Sequence, residues 1–111
     1  MMIIKYIRLK YCEQIQVSDI ANACGLNRSY LTRLFKEATG SSVQNYLMTY
    51  RMKAAIKLMY NPDLSIQYIS FAVGYGDVFT FSKAFKKMMG MSPSDYRAQL
   101  LSQDSENQTD I

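Results

Sequence analysis

Apolar residues recur along the chain with the spacing of one helix face, and this pattern predicts an all-α fold. The segment 28–39 shows it most clearly, because its apolar residues stand at positions i, i+3, i+4 and i+7: Leu31, Leu34, Phe35 and Ala38. No segment shows the sustained alternation of a half-buried strand, and no Asn-Gly pair signals a hairpin. We therefore expect helices joined by short turns.

Residues typical of helix ends divide this pattern into seven predicted helices. Asn27 and Asp77 are suited to cap two of them, and Pro93 is suited to the first position of the last. The predicted helices cover about residues 3–11, 17–24, 28–39, 42–60, 66–73, 78–89 and 93–101. From residue 102 onward the chain has no apolar face, so we predict a disordered acidic tail over 102–111.

The two halves of the chain repeat one another. At an offset of 49 the matching pairs are Val17/Ile66, Ile20/Ile69, Ala23/Ala72 and Gly25/Gly74, and at an offset of 50 they include Leu31/Phe81, Arg33/Lys83, Phe35/Phe85, Lys36/Lys86, Gly40/Gly90, Ser42/Ser92 and Tyr46/Tyr96. Each copy reads as a short helix, a turn with Gly and a longer helix, which is the helix-turn-helix pattern. We predict a first subdomain with the start of a linking helix over 1–50, and the rest of that helix with a second subdomain over 51–101. Helical hairpins also duplicate for packing alone, so the repeat predicts the fold and leaves the function open.

Composition and charge argue against several classes of function. The chain has 111 residues, 49% of them hydrophobic, with 2 Cys and no His. This predicts one compact domain, or at most two very small ones, with no metal site, no cofactor and no Cys/His nucleophile pair, and hence no enzyme. No apolar run approaches the roughly 20 residues that span a bilayer and no signal peptide opens the chain, which predicts a cytoplasmic location and no membrane partner. The net charge of +4 conceals a basic body, since residues 1–97 hold all 13 basic side chains and 98–111 hold 3 acidic ones.

The outward faces of the two longer repeat helices carry hydrogen-bond donors and no carboxylate. In the first copy this face holds Ser29, Thr32, Arg33 and Lys36, and in the second it holds Phe79, Ser82, Lys83 and Lys86. Arg can make paired hydrogen bonds to guanine, hydroxyl groups suit several base edges, and an apolar group can contact the thymine methyl. A flexible cation farther along the helix suits phosphate, which is the role predicted for Lys36, Lys86 and Lys87. An ordinary solvated helix would mix Glu with Lys, so these faces favour DNA binding.

The linking helix is long enough for both outward faces to contact one DNA duplex. At about 1.5 Å per residue it is just under 30 Å long. With its flanking turns it could hold two recognition helices about one DNA turn apart, roughly 34 Å. Because the two faces differ in sequence, we expect an asymmetric site.

The sequence resembles AraC/XylS-type bacterial transcription regulators. The residues that carry the resemblance are SIQYISFAVGY at 65–75, FSKAFKK at 81–87, GMSPSDYR at 90–97, LTRLFK at 31–36 and, in the linking helix, Arg51, Ala55, Leu58 and Met59. The resemblance covers about residues 3–97. It implies two helix-turn-helix units joined by a long helix, binding to double-stranded promoter DNA and, usually, activation through contact with RNA polymerase. Many such regulators carry an effector-binding or dimerisation domain ahead of this one, which we expect to be absent from this chain, as in an excised C-terminal domain; a stand-alone regulator is the other possibility.

The resemblance also assigns roles by position. The base-reading candidates are Ser29, Thr32 and Arg33 in the first unit and Val78, Phe79, Ser82 and Lys83 in the second. The phosphate candidates are Arg28, Lys36, Arg51, Lys86, Lys87 and Arg97. Arg51 and Arg97 could equally be structural, and Phe79 could contact a thymine methyl group or serve packing. Gln16 stands where a Ser or Thr cap is usual, which predicts a weaker start of the second helix.

Two functions remain as hypotheses. The first is a sequence-specific DNA-binding domain of a transcription regulator. The second is a helical protein-interaction module whose basic face meets an acidic partner. Binding of labelled duplex DNA distinguishes them, because only the first predicts a base preference.

Overall fold

The computed structural model describes residues 2–109 and contains seven α-helices, with no strand in that range. The helices are α1 (Met2–Lys10), α2 (Val17–Ala23), α3 (Arg28–Thr39), α4 (Val43–Met59), α5 (Ile66–Ala72), α6 (Val78–Met89) and α7 (Pro93–Thr109). The predicted all-α fold, with two helix-turn-helix units (α2–α3 and α5–α6) joined by the long helix α4, is confirmed. None of these helices combines the length and apolar character needed to cross a bilayer.

Local capping explains where the two longer repeat helices begin and end. The Asn27 side chain accepts the Ser29 N–H at 2.8 Å, and the Asp77 carboxylate accepts the Thr80 N–H at 2.8 Å. Each side chain satisfies a backbone donor that lacks a partner within the helix. The short helix α2 starts differently: the Asp19 carboxylate in its first turn accepts the backbone N–H of Gln16 at 2.7 Å, which is the hydrogen bond that the third helical residue makes in a capping box.

The sequence repeat is reproduced in three dimensions. Phe35 and Phe85 are fully buried in their units, and each meets a tyrosine of the following helix edge to face. The ring centroids of Phe35 and Tyr46 are 5.5 Å apart, and those of Phe85 and Tyr96 are 5.3 Å apart. Such edge-to-face pairs are favourable beyond the apolar area that they bury. The repeat therefore specifies two equivalent cores.

Each unit has its own hydrophobic cluster, and α4 passes through both. The first cluster includes Ile20, Leu31 and Phe35, and its last buried residue on α4 is Leu47; the first buried α4 residue of the second cluster is Met52. Tyr11, just after α1, packs against both clusters. The molecule is elongated, with extents of 52 × 28 × 22 Å.

Two features differ from the sequence expectation. Ala38 is exposed although it continues the apolar pattern of α3, so contact with the core ends at Phe35, one turn before the helix does.

The second difference concerns the segment 102–111, for which we predict a disordered tail. The structure instead continues α7 as far as Thr109. No Gly or Pro follows Pro93 to break the helix, and a helix needs no apolar face to persist locally. Residues 110 and 111 lie outside the described part of the chain.

Candidate nucleic-acid interface

The outer face of α3 brings all five first-unit candidates together. Their side chains are exposed and line one shallow depression along the helix: Arg28, Ser29, Thr32, Arg33 and Lys36. The opposite face holds the fully buried Leu31 and Phe35, which fix the rotation of the helix. The candidate face therefore points to solvent.

Two contacts orient side chains on this face. The Thr32 hydroxyl donates to the Arg28 carbonyl oxygen at 2.9 Å, which leaves the hydroxyl oxygen free to accept a hydrogen bond. The Arg33 guanidinium lies over the ring of Tyr30, with its central carbon 5.7 Å from the ring centroid. A cation over an aromatic face is attracted to it. Tyr30, which was not among the predicted site residues, thus lies beside a predicted base reader.

The outer face of α6 is more apolar at its start and basic at its end. Phe79 is 79% exposed, so it is not packed within the chain, whereas Val78 and Ser82 are half-buried. The lysines at positions 83, 86 and 87 are exposed. The second unit therefore presents an apolar tip followed by three cations.

Asp77 adds a carboxylate at the start of α6. Hydrogen bonds from the Thr80 backbone N–H and hydroxyl, each 2.8 Å long, hold the pKa of Asp77 below its ordinary value, and the charge of Lys83 adds to this effect. The carboxylate is engaged in capping. Lys83 nevertheless has an acidic neighbour, Asp77, which is not one of the residues of the outward face of α6.

The cations on the outer faces of α3 and α6 are not paired with carboxylates in the described side chains, where the one ion pair joins Lys10 and Glu13 at 3.3 Å on a different surface. The exposed Glu37 lies at the flank of α3, and Lys87 occupies the equivalent place on α6. Unpaired cations can meet an anionic partner without first losing an internal ion pair. Both α3 and α6 therefore present positive charge that is available to a partner.

Arg51 binds the backbone of the first unit. Its Nε donates to the Tyr11 carbonyl oxygen at 2.9 Å and its Nη2 donates to the Glu13 carbonyl oxygen at 2.8 Å. The guanidinium also lies over the Tyr75 ring, 5.4 Å from its centroid. Burial lowers the pKa of Arg51 and raises that of Tyr75, and the attraction between the two groups opposes both shifts. These contacts support the structural alternative for Arg51, and its phosphate role stays a prediction.

Arg97 makes the corresponding contacts in the second unit. Its Nε donates to the Met59 carbonyl oxygen at 3.1 Å and its Nη2 donates to the Asn61 carbonyl oxygen at 3.0 Å. In both cases an arginine from the helix that follows a unit binds two backbone carbonyl groups, two residues apart, at or just beyond the end of the helix that precedes that unit. A cation at a helix C-terminus is favourable because the last carbonyl groups have no helical partners. Arg97 thus has the same structural support as Arg51.

Comparisons with known proteins place this architecture in a family. A family model described as a helix-turn-helix domain matches residues 20–99. The Msm operon regulatory protein of Streptococcus mutans is 43% identical over 96 residues, which are 86% of this chain and 34% of that protein. The lactose operon transcription activator of Staphylococcus xylosus is 38% identical over 94 residues, 85% of this chain and 34% of that protein.

A solved structure shows the same fold with DNA. The DNA-binding domain of the global transcriptional factor AdpA, in complex with a target DNA, superposes with a TM-score of 0.85 at 25% identity, over 91% of each chain. The present chain spans about a third of the length of the curated relatives it matches. The matched fold and sequence show that the chain belongs to the AraC/XylS family of bacterial transcription regulators and comprises their DNA-binding domain.

Proposed function

We propose that this chain binds a specific, asymmetric site in double-stranded promoter DNA, with α3 and α6 in successive segments of the major groove. The observation that carries this proposal is the pair of exposed outer faces with unpaired cations, one in each unit of a family whose member AdpA is solved with DNA. The elongated body leaves room for the separation of one DNA turn, roughly 34 Å, that this arrangement requires.

The two faces have different tasks in this proposal. On α3, Arg33 reads a guanine, with Ser29 and Thr32 beside it on the bases. The cations Arg28 and Lys36 lie at the ends of the same face and bind phosphate, which supplies affinity without base preference. This division predicts that the first half of the site contains a guanine.

On α6 we assign base contact to the exposed first turn and phosphate contact to the last turn. Phe79 contacts a thymine methyl group, and Lys83 reaches a base edge one turn later. Lys86 and Lys87 bind phosphate. Val78 and Ser82 are half-buried, so they take part only where the DNA approaches closely.

We further propose that the protein activates transcription through contact with RNA polymerase. Support comes from the Staphylococcus xylosus relative, which is named as a transcription activator. Access to the bacterial chromosome would place the protein in the cytoplasm.

The change Arg33→Ala tests the proposed reading role. On a duplex carrying the selected site, we expect binding to weaken about 5- to 150-fold, because one paired base contact is worth about 1–3 kcal/mol of discrimination. Binding to random duplex should change much less. The matched control is Arg8→Ala, which removes an exposed arginine of α1, outside both recognition helices. Fluorescence anisotropy with both duplexes at one salt concentration measures the two affinities.

Two outcomes would contradict the proposal. Equal weakening of specific and random binding by Arg33→Ala would remove the reading role from Arg33. The absence of any base preference in the unchanged protein, together with capture of an acidic protein by the same basic face, would favour the helical protein-interaction module instead.

A further inference from the structure

The two units meet at a joint beside α4. The turn before α6, at residues 74–76, packs against the segment that follows α1, at residues 11–14. A Cβ atom at Gly74 would overlap the Tyr11 carbonyl oxygen, and one at Gly76 would lie 2.8 Å from Nε2 of Gln14. Glycine in the second unit's turn therefore permits direct backbone contact with the first unit.

Arg51 holds this joint from the middle of α4. It lies between Leu47, the last buried α4 residue of the first cluster, and Met52, the first buried α4 residue of the second. Its guanidinium binds two carbonyl groups of the segment between α1 and α2 and stacks on Tyr75 in the turn of the second unit. One side chain thus contacts both units and the helix that joins them.

The joint constrains the angle between the two units, which α4 alone would leave free to vary. The two clusters share only the partly buried Tyr11 among their packed residues in the described chain. A single helix connecting two otherwise separate cores can bend and twist under load, since helices curve gently and their hydrogen bonds lengthen slightly. Contacts at a second point, beside the helix, oppose such bending and fix the angle between the units.

We propose that Arg51 is a positioning residue that sets the distance and angle between the two recognition helices, and thereby the spacing of the two half-sites that the protein accepts. This inference rests on the proposed function, because half-site spacing has meaning only for a protein that reads two segments of one duplex. Each base pair added between the half-sites moves the second by about 3.4 Å and rotates it by roughly 35°. A rigid joint makes that displacement costly, whereas a loosened joint accommodates it.

Arg97 provides a matched control for this residue. It binds two carbonyl groups in the same manner, but they belong to Met59, the last residue of α4, and to Asn61 just after it, away from the joint. The change Arg97→Met therefore removes the same chemical group from the same kind of contact without loosening the joint. The change Arg51→Lys keeps the charge and one donor to the carbonyl groups, so it should restore part of the spacing preference.

The test measures binding of four proteins to duplexes whose selected half-sites are separated by the preferred spacing, or by one base pair more or fewer. We expect the unchanged protein and Arg97→Met to lose at least about tenfold in affinity at the altered spacings, because binding to them strains the joint. Arg51→Met should bind the preferred spacing more weakly and lose less than about threefold between spacings. Arg51→Lys should fall between these two profiles. Thermal unfolding of each variant verifies that it is folded at the assay temperature.

Three results would overturn the inference. The first is an Arg51→Met profile as steep as that of the unchanged protein. The second is weakening by one factor at every spacing together with a salt slope shallower by about 1, which is the signature of a lost phosphate contact. The third is an equal flattening by Arg97→Met. Failure of the proposed function is distinguishable from all three, because the unchanged protein would then show no spacing preference at all.

Discussion

The close approach at Gly74 predicts that one glycine is far less replaceable than another with similar backbone geometry. Gly74 has a φ of 101° and Gly90 a φ of 85°, a region that costs an L-residue about 1–2 kcal/mol. A Cβ at Gly90 would meet nothing within 4 Å, so Gly90→Ala should cost only that amount. At Gly74 the Cβ would overlap the Tyr11 carbonyl oxygen and lie 3.0 Å from two nitrogen atoms of Arg51.

Overpacking a well-packed site costs about 1–3 kcal/mol in addition, so Gly74→Ala should lower the free energy of unfolding by about 2–5 kcal/mol. Urea unfolding followed by far-ultraviolet circular dichroism measures both variants, with Gly90→Ala as the control for backbone strain alone. A cost of Gly74→Ala equal to that of Gly90→Ala, within about 0.5 kcal/mol, would refute the close contact between the two units.

Two further predictions concern the start of α6. Because hydrogen bonding lowers the folded-state pKa of Asp77 below its ordinary value of 3.8, its contribution to stability is full above that value and is lost as the pH falls through the lower folded-state pKa. Asp77→Asn, which retains a capping side chain, should therefore flatten the acid end of a stability-against-pH curve measured by urea unfolding, and an unchanged curve would contradict the capping role. Phe79→Ser should leave the free energy of unfolding within about 0.5 kcal/mol of the original, since the ring is 79% exposed, yet alter base preference in the second half-site during duplex selection. Unaltered preference would remove Phe79 from the readers.

The helix ends that the sequence predicts well depend on local signals. Asn27 and Asp77 cap the first turns of α3 and α6 through bonds that span two or three residues, and both helices have the predicted bounds. The Phe35 and Phe85 cores follow from spacing along one helix. Such features are visible in a short stretch of sequence because the residues that form them are neighbours in the chain.

The features that the sequence does not reveal depend on distant contacts or on absent signals. Arg51 and its two carbonyl partners are separated by about 40 positions, so no local pattern distinguishes this residue from a phosphate ligand. Tyr30 carried a usable signal, because an aromatic residue three positions before Arg33 lies beside it on a helix. The extension of α7 to Thr109 has no sequence signal, because the segment after residue 101 lacks an apolar face and contains no Gly or Pro to mark a helix end.

Selection of bound duplexes from a random pool tests whether two different recognition helices read one duplex. We expect an asymmetric site with two blocks of preferred bases about one DNA turn apart. Arg33→Ala should lose the preference in one block and Lys83→Ala should lose it in the other. A single block, or the same loss from both variants, would contradict this expectation.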